Sequence, residues 1–324
     1  MIVLGIESTA HTFGIGIIKD KQVLANVNDS YTTESGGMIP VQSAEHHVEC
    51  CDRVLKTALE KANISLHEVD VIAYSRGPGM GHCLRIGATV ARSLSILLKK
   101  PLVGVNHCVA HLEIGRLCGA KDPILLYASG ANTQVIAYDG GKYRVFGETL
   151  DNGVGNFLDG FGRIIGLGFP AGPVIDKLAQ KGKNYIKLPY SVKGMDVSFG
   201  GIQTFLKNKV VGKFPNEDIC YSVQETVFAM LLEVSERAMA HCEKKELLLG
   251  GGVACNTRLK EMAKIMCEDR GAKVFIPENQ FLVDNAAMIA WTGLLMYEAG
   301  VITSMKDSKI RPYERTDDIN VVWR

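Results

Sequence analysis

The sequence has no excess charge of either sign, few aromatic residues and no long hydrophobic run. Its 36 basic and 35 acidic residues leave a formal net charge of +1, and aromatic residues make up 7% of the 324. Near neutrality argues against a nucleic-acid coat or a polybasic membrane protein, while it leaves room for a local basic patch. The longest uncharged run near the C-terminus covers residues 285–297, whereas a helix needs about 20 apolar residues to span a bilayer. We therefore expect a cytoplasmic protein that does not contact membranes.

Paired cysteines are also missing. The chain has nine cysteines, an odd number, and none of them forms a C-x-x-C pair with another. This spacing argues against a disulfide framework and against a zinc site built from thiolates, and it favours a reducing compartment.

What the sequence does contain is one order of elements that occurs twice. Three short apolar stretches predict a strand meander, and a second meander of the same kind follows later. The stretches are 2–6, 14–18 and 23–27 in the first set and 123–128, 134–138 and 143–148 in the second. Helix and strand patterns complete a βββαβαβα order each time. We predict an α/β protein with two domains, residues 1–121 and 122–299, and a C-terminal segment 300–324 that packs back on the first.

The turn after the first strand of each half is made of small, hydroxyl-bearing residues. These turns are 7–12 and 129–133. Small residues let backbone N–H groups come close to an anion. Two such turns that face each other across a cleft would hold a phosphoryl group from both sides.

A histidine pair is the clearest candidate for metal chemistry. His107 and His111 follow a predicted strand, with Asn106 as a helix N-cap. Residues four apart lie on one helical face, so both imidazoles can bind one cation, although two unrelated polar side chains would give the same pattern. The H-E-x-x-H motif of zinc proteases is absent, because position 108 is Cys. Asp284 precedes an apolar helix and either caps that helix or completes the histidine site.

Other polar and glycine-rich stretches each allow a functional and a structural interpretation. Gly250–Gly252 lie between a strand and a helix, where a flat ring could rest on the backbone and Asn256 could bind its edge, or where the chain simply turns. Residues 76–82 form a strand-to-helix loop that either binds a ligand or only connects. The adjacent His46 and His47 point to different faces, so we expect a surface or cleft-lining position for both.

Eight ordered motifs resemble the tRNA N6-adenosine threonylcarbamoyltransferase family, in its archaeal and eukaryotic branch. They include GIESTAHTFGIGII, VGVNHCVAHLEIG, YASGANTQVIAY, LLLGGGVACNTRL and VDNAAMIAW. The resemblance implies the actin-like, sugar-kinase-like ATPase fold, a duplicated ribonuclease H-like domain. It also implies transfer of a threonylcarbamoyl group from threonylcarbamoyl-adenylate to N6 of adenosine 37 in tRNAs that read ANN codons, with release of AMP.

The same resemblance implies a set of site residues. The ligands of one iron or zinc ion are His107, His111, Tyr127 and Asp284. The residues that hold the carbamoyl and phosphate part of the adenine nucleotide are Tyr127, Ala128, Ser129, Gly130 and Ala131. The adenosine part falls to Asp159, Gly172, Asp176 and Asn256. No residue stands out as the general base, and the candidates are Glu7 and His11. Ala131 replaces the glycine usual in the family, so we expect an altered loop or an altered affinity.

Partners are implied as well. The resemblance predicts work in the KEOPS complex with a small protein kinase, a dimerising subunit and a further small subunit. Local basic pairs such as Lys181 and Lys183 either contribute to tRNA binding or only form a solvated face, and we expect the partner subunits to contribute much of the tRNA-binding surface. The alternatives on the same fold are a nucleotide-binding ATPase or kinase and a regulatory scaffold.

Overall fold

The first half of the chain alternates strands and helices as the repeat predicts. The computed structural model of the protein describes residues 1–33 and 38–324. The elements of this half are β1 (Ile2–Glu7), β2 (Thr12–Lys19), β3 (Gln22–Ser30), α1 (Pro40–Ala62), β4 (Val71–Gly77), α2 (Gly81–Leu98), β5 (Leu102–Asn106) and α3 (His107–Ile114). The turn between β2 and β3 has positive φ at Asp20 and Lys21, which confirms the turn expected there and suits a tight hairpin.

The second half repeats this order with more inserted structure. Its elements are β6 (Ile124–Ala128), β7 (Thr133–Asp139), β8 (Lys142–Glu148), α4 (Val154–Ile164), α5 (Gly172–Ala179), β9 (Val192–Lys193), β10 (Asp196–Val197), α6 (Gly200–Phe205), α7 (Asn216–His241), β11 (Glu246–Gly250), α8 (Thr257–Asp269), β12 (Lys273–Phe275), α9 (Asn279–Leu282) and α10 (Ala286–Glu298). Residues 183–215, which the sequence suggested to be irregular, therefore contain a short hairpin, a helix and a π-helical turn at Leu206–Val210.

The two five-stranded sheets have the same topology. The first has the order β3-β2-β1-β4-β5, and the second, read from its other edge, has β8-β7-β6-β11-β12. In each sheet the first three strands are antiparallel, and the last two run parallel to the first. This equivalence confirms the duplicated α/β fold. Because β1, β4 and β5 are parallel, their carboxyl ends lie at one edge, where ligand sites of α/β proteins form.

Helix α10 belongs to the second half in sequence but packs on the sheet of the first. All its residues from Ala286 to Met296 are buried. Gly5 and Gly16 allow the close approach, since a Cβ at either position would lie 2.4 Å from backbone atoms of α10. The helix is apolar on every side because it lies between the first sheet and α3. Its N-terminus, which follows Asp284, is thereby fixed next to the first half.

The segment 300–324 contacts both halves. On the first half, Arg311 N–H donates to the Arg76 carbonyl, and Glu314 forms an ion pair with Arg76 at 2.8 Å. On the second half, the Arg324 guanidinium stacks 4.5 Å from the ring centre of Tyr138. The segment therefore links the two halves, and we call residues 300–324 the C-terminal strap.

Helix α1 packs one face on the sheet of the first half. Ser43, His47, Cys50, Val54 and Ala58 are buried, whereas Val48 is 61% exposed. Apolar residues occur on both faces of α1, so the inner face also includes polar residues such as His47. The interpretation of His47 as a surface or cleft-lining residue was wrong, because its side chain lies fully inside, with its ring 5.6 Å from that of Phe13.

Two further predictions concern cysteines and membranes. All nine cysteines are free in the structure, so the expectation that they form no disulfide framework is confirmed. Among the helices of residues 1–33 and 38–324, none combines the length and apolar character needed to cross a bilayer.

Candidate functional site

The histidine pair lies at the start of α3, directly after β5. The Asn106 side chain accepts a hydrogen bond from Val109 N at 3.1 Å, which confirms its role as N-cap. All eight residues of α3 are buried. The His107 and His111 rings lie on one face with their centres 4.8 Å apart, as expected for residues one helical turn apart.

Asp284 completes a three-residue cluster with this pair. Its Oδ1 lies 3.3 Å from His107 Nε2 and 3.6 Å from His111 Nε2. One ligand atom from each of the three residues lies within 4.8 Å of the others. The cap of α10 is Asn285, which accepts from Met288 N at 2.9 Å. Asp284 is therefore free of the capping role that the sequence left open, and it faces the imidazoles.

Tyr127 reaches the same cluster from the second half. It lies near the end of β6, and its hydroxyl is 3.1 Å from His107 Nε2. Its ring centre is 4.9 Å from that of His111. The structure thus brings all four predicted metal ligands together at the junction of the two sheets.

Electrostatics at the cluster give its three members different protonation states. Burial opposes protonation of His107, but Tyr127, Glu7 and Asp284 outweigh it and hold the pKa of this imidazole well above its usual value. Burial lowers the pKa of His111. Burial also disfavours ionisation of Asp284, but the two imidazoles hold the pKa of its carboxyl well below the usual range. The carboxylate and the neutral His111 are thus in the protonation states that bind a metal ion.

The donor set fits iron or zinc. Both ring nitrogens of His111 are buried and have no hydrogen-bond partner in the described part of the chain. An imidazole in that condition is costly unless something binds it. Two imidazoles, a carboxylate and a phenol are nitrogen and oxygen donors that Fe²⁺ and Zn²⁺ both accept.

The two candidate bases differ in their access to the cleft. The side chain of Glu7 has no exposed surface, and its Oε2 is 3.0 Å from His107 Nδ1. His11 is partly exposed in the turn between β1 and β2. Its ring lies edge-on against Phe169 of the second half, 5.5 Å between centres. Of the two, only His11 has exposed surface.

The second turn, 128–132, is held from both sides by close backbone packing. Gly155 N donates to the Ser129 carbonyl at 3.0 Å, and a Cβ on Gly155 would lie 2.7 Å from Gly130 Cα. Ser129 N donates to the Asn132 carbonyl. The N–H groups of Gly130 and Ala131 make no hydrogen bond to other described residues, and both residues are exposed. These two groups remain available to an anion.

Ala131 does not distort this turn. Among the described non-glycine residues, positive φ occurs at Asp20, Lys21, Asn63, Lys99 and Glu243. Ala131 therefore has an ordinary backbone conformation, and its methyl group costs no strain. This position therefore does not require a glycine conformation, and of the two expected effects the altered affinity stays a prediction.

The predicted adenosine residues line the start of α5 and α8. Asp176 accepts from Thr257 Oγ1 at 3.0 Å, which places it next to Asn256, the N-cap of α8. Asp159 Oδ1 accepts from Ala171 N at 2.8 Å, beside Gly172. Asp176 and Asn256 thus also have structural hydrogen bonds, while a Cβ on Gly172 would meet no atom within 4 Å. Asp159 therefore lies beside Gly172, and Asp176 lies beside Asn256.

The glycine-rich turn after β11 packs against the second turn. Gly251 has φ +87°, and a Cβ there would lie 2.3 Å from the Ala128 carbonyl oxygen. A Cβ on Gly252 would meet no atom within 4 Å. Gly251 thus serves close packing, while the open face at Gly252 is where a flat ring has room.

The loop 76–82 is filled by protein rather than open to a ligand. Met80 N donates to the Thr9 carbonyl at 2.7 Å. A Cβ on Gly79 would lie 2.6 Å from that same oxygen, and one on Gly77 would overlap the Arg311 carbonyl. The glycines are therefore explained by close packing against the first turn and the C-terminal strap.

Duplicated five-stranded units that meet at a cleft define the actin-like, sugar-kinase-like ATPase fold. Solved structures show the same fold. T. kodakarensis HypF matches with a TM-score of 0.65 and 15% identity, over 90% of this chain and 46% of that one. The activator of 2-hydroxyisocaproyl-CoA dehydratase from Clostridium difficile with bound ADPNP matches with a TM-score of 0.56 and 13% identity, over 93% and 98%.

The family follows from comparison of the whole sequence. The family model of tRNA N6-adenosine threonylcarbamoyltransferase matches residues 22–291. A protein of that name from Thermococcus kodakarensis is 56% identical over all of both chains, and one from Xenopus laevis is 50% identical over 100% of this chain and 99% of that one. The chain belongs to the tRNA N6-adenosine threonylcarbamoyltransferase family, in its archaeal and eukaryotic branch.

A third relative has a longer chain. This chain is 51% identical to a "Probable bifunctional tRNA threonylcarbamoyladenosine biosynthesis protein" from Methanosarcina barkeri, over 99% of this chain and 59% of that one.

Proposed function

We propose that this chain transfers the threonylcarbamoyl group of threonylcarbamoyl-adenylate to N6 of adenosine 37 in tRNAs that read ANN codons. In this reaction the N6 amine attacks the carbamoyl carbon, the bond from that carbon to the phosphate oxygen breaks, AMP leaves, and the amine loses one proton. The observation that carries the proposal is the full-length similarity to transferases of this name. No observation favours the ATPase, kinase or scaffold alternatives.

The metal would be held by His107, His111, Asp284 and Tyr127, with iron and zinc both compatible. When bound, such an ion supplies a Lewis acid that polarises a carbonyl or neutralises a phosphate. The chain itself contributes a buried and rigid set of donors, because α3 is capped and enclosed and α10 is packed on the first sheet. Rigid donors keep their geometry without reorganising during the reaction.

The adenylate would lie along the second half, from the second turn to the start of α8. The free N–H groups of Gly130 and Ala131 suit the phosphate and the charge that develops on oxygen. Asp159, Gly172, Asp176 and Asn256 lie further along the same half and suit the adenosine. Ala128 and Ser129 shape the turn. The N6 amine of adenine is a weak nucleophile, so alignment of the two substrates supplies much of the rate.

His11 is the candidate we retain for proton acceptance. It lies in the first turn, contacts Phe169 of the second half and is partly exposed, so a substrate amine would be able to approach it. An imidazole is suited to proton transfer near neutral pH.

We further propose that the chain works in the cytoplasm with the partners of the KEOPS complex, namely a small protein kinase, a dimerising subunit and a further small subunit. The longer Methanosarcina relative supports this, since a bifunctional protein joins this sequence to a second one. A net charge of +1 gives the isolated chain a weak electrostatic attraction for tRNA, so partners would supply part of the RNA-binding surface.

The test is a transfer assay with threonylcarbamoyl-adenylate and an ANN-decoding tRNA, run on the chain alone and with its partners. The variant His111→Ala should lose metal content and at least ~100-fold in activity, because one ligand is gone. The matched control is His67→Ala, an exposed histidine outside the cluster. Unchanged activity and metal content in His111→Ala would refute the site. Steady ATP hydrolysis with Mg²⁺ alone that survives His107→Ala would favour the kinase alternative, and normal partner binding without transfer would favour the scaffold.

A further inference from the structure

Glu7 is a buried carboxylate whose two oxygens are both engaged. Oε2 lies 3.0 Å from His107 Nδ1, and Oε1 accepts from Thr9 N at 2.7 Å and from the Thr9 hydroxyl. Glu7 is the last residue of β1, and its side chain has no exposed surface. The carboxylate is therefore fixed on the side of the His107 ring that faces away from Asp284.

This contact determines which nitrogen of His107 faces the metal centre. An ionised carboxylate only accepts hydrogen bonds, so the proton must be on Nδ1. In the neutral ring, which is the form that binds a metal, Nε2 then presents its lone pair toward Asp284 Oδ1 at 3.3 Å and the Tyr127 hydroxyl at 3.1 Å. A lone pair and a carboxylate oxygen at that separation repel each other unless a proton or a metal ion lies between them. The arrangement therefore suits an ion bound by Nε2 and Oδ1 together.

His111 has no equivalent support. Neither of its ring nitrogens has a hydrogen-bond partner in the described part of the chain. The two histidines are thus unequal, and only His107 has a carboxylate behind it. Carboxylate partners of this kind fix the tautomer and ring orientation of a ligating histidine, and their loss typically costs 10- to 100-fold in metal affinity.

We propose that Glu7 is a positioning residue, which holds the Nδ1 proton of His107 and so presents Nε2 to the metal, and that it is not the proton acceptor of the transfer reaction. The proposal rests on the metal centre of the proposed function. It assigns Glu7 a task that differs from that of His11 in the same turn, namely support of a metal ligand instead of contact with substrate.

The test compares metal binding by the full-length chain and three variants. Glu7→Gln keeps the shape and weakens the acceptor, and Glu7→Leu removes it. The matched control is Glu113→Gln, because Glu113 is an equally buried carboxylate on α3 that accepts from Trp323 Nε1 at 2.8 Å and does not contact the histidine pair. Zn²⁺ affinity is measured by competition with a chelator, and Co²⁺ is added separately so that its visible absorption reports the ligand geometry.

We expect Glu7→Gln to weaken Zn²⁺ binding about 10-fold and Glu7→Leu about 100-fold, with an altered Co²⁺ spectrum in both. Glu113→Gln should unfold more easily but keep the wild-type affinity and spectrum. Equal affinity in wild type and both Glu7 variants would overturn the proposal, as would an equal loss in Glu113→Gln. Failure of the wild type to bind either ion would overturn the metal centre itself, and the positioning role with it.

Transfer measured at metal concentrations that saturate each variant separates positioning from proton acceptance. A positioning residue predicts that Glu7→Gln regains most of its kcat once loaded, since the ion then compensates for the weaker ligand. A kcat that stays at least ~100-fold low in fully loaded Glu7→Gln would show that Glu7 takes the proton, because removal of a general base costs on that order. That result would overturn the proposal while leaving the transferase function intact.

Discussion

Replacing His47 with glutamine should make the stability of the protein less sensitive to acid. The His47 ring is fully buried against Phe13, and neither of its nitrogens has a hydrogen-bond partner among the described residues. Burial, together with repulsion from the neighbouring His46 and His11, lowers the pKa of His47 to about 4. The folded protein therefore holds this ring neutral where an exposed histidine would take up a proton.

The sign and size of this pH effect on stability follow from the pKa of His47 in the folded state and its pKa in the unfolded state. The unfolded chain binds a proton at His47 near the ordinary value of 6.5, and the folded chain only near 4. Because the unfolded state binds more protons in this range, stability falls as the pH drops from 6.5 to 4 and levels off below. The loss from this one residue is about 2 kcal/mol at pH 5 and about 3 kcal/mol below pH 4.

The measurement is urea unfolding at pH 7 and pH 5, followed by the fluorescence of Trp291, which lies on the sheet of the first half. The wild type should lose about 2 kcal/mol more than His47→Gln between these pH values. His67→Gln is the matched control, since His67 is exposed, and it should behave as the wild type. If wild type and His47→Gln lose the same free energy between pH 7 and pH 5, the reasoning is wrong.

Two further predictions concern close packing and the C-terminal strap. Gly251→Ala should cost about 1–3 kcal/mol of stability and weaken AMP binding, because a Cβ at φ +87° would overlap the Ala128 carbonyl. Calorimetry measures both the unfolding and the AMP binding. The control is Gly252→Ala, because a Cβ at Gly252 meets open space. Trp323→Phe should cost about 1–3 kcal/mol in urea unfolding, because it removes the indole donor of the buried Glu113 carboxylate. Unchanged metal affinity is expected in Trp323→Phe, and a large loss would show that the strap also holds α3 in place.

The sequence predicted the fold well because its signals were local and occurred twice. Strand meanders, hairpin turns and the cap at Asn106 each depend on neighbouring residues, and the repeat of one order supported every element. The spacing of His107 and His111 predicted that the two rings lie together for the same reason, since residues one helical turn apart lie on the same face. Asp284 was ambiguous because an acid before a helix suits a cap equally well, and the neighbouring Asn285 took that role.

Other features depend on contacts between distant parts of the chain. The contact of Glu7 with His107 needs β1, β4 and β5 to lie side by side, so that residues 100 apart meet at one sheet edge. No spacing pattern in the sequence predicts that Glu7 and His107 lie next to each other. Tyr127 resembles any buried strand residue and was identified only through the family resemblance. His47 was misplaced because α1 carries apolar residues on two faces, and only packing against the sheet determines which face is inside.

The duplication explains why the metal centre lies where it does. β1 and β6 are the equivalent first strands of the two halves, and residues near the end of each contact the same ring from opposite sides. Glu7 of the first half faces His107 Nδ1, and Tyr127 of the second half faces His107 Nε2. The turns that follow have diverged, since the first is filled by a buried carboxylate and Thr9, while the second keeps two free N–H groups. Both halves thus contribute residues to the His107 cluster, and only the second turn keeps two free backbone N–H groups, so the proposed metal centre and the proposed phosphate contact both depend on how the two halves pack together.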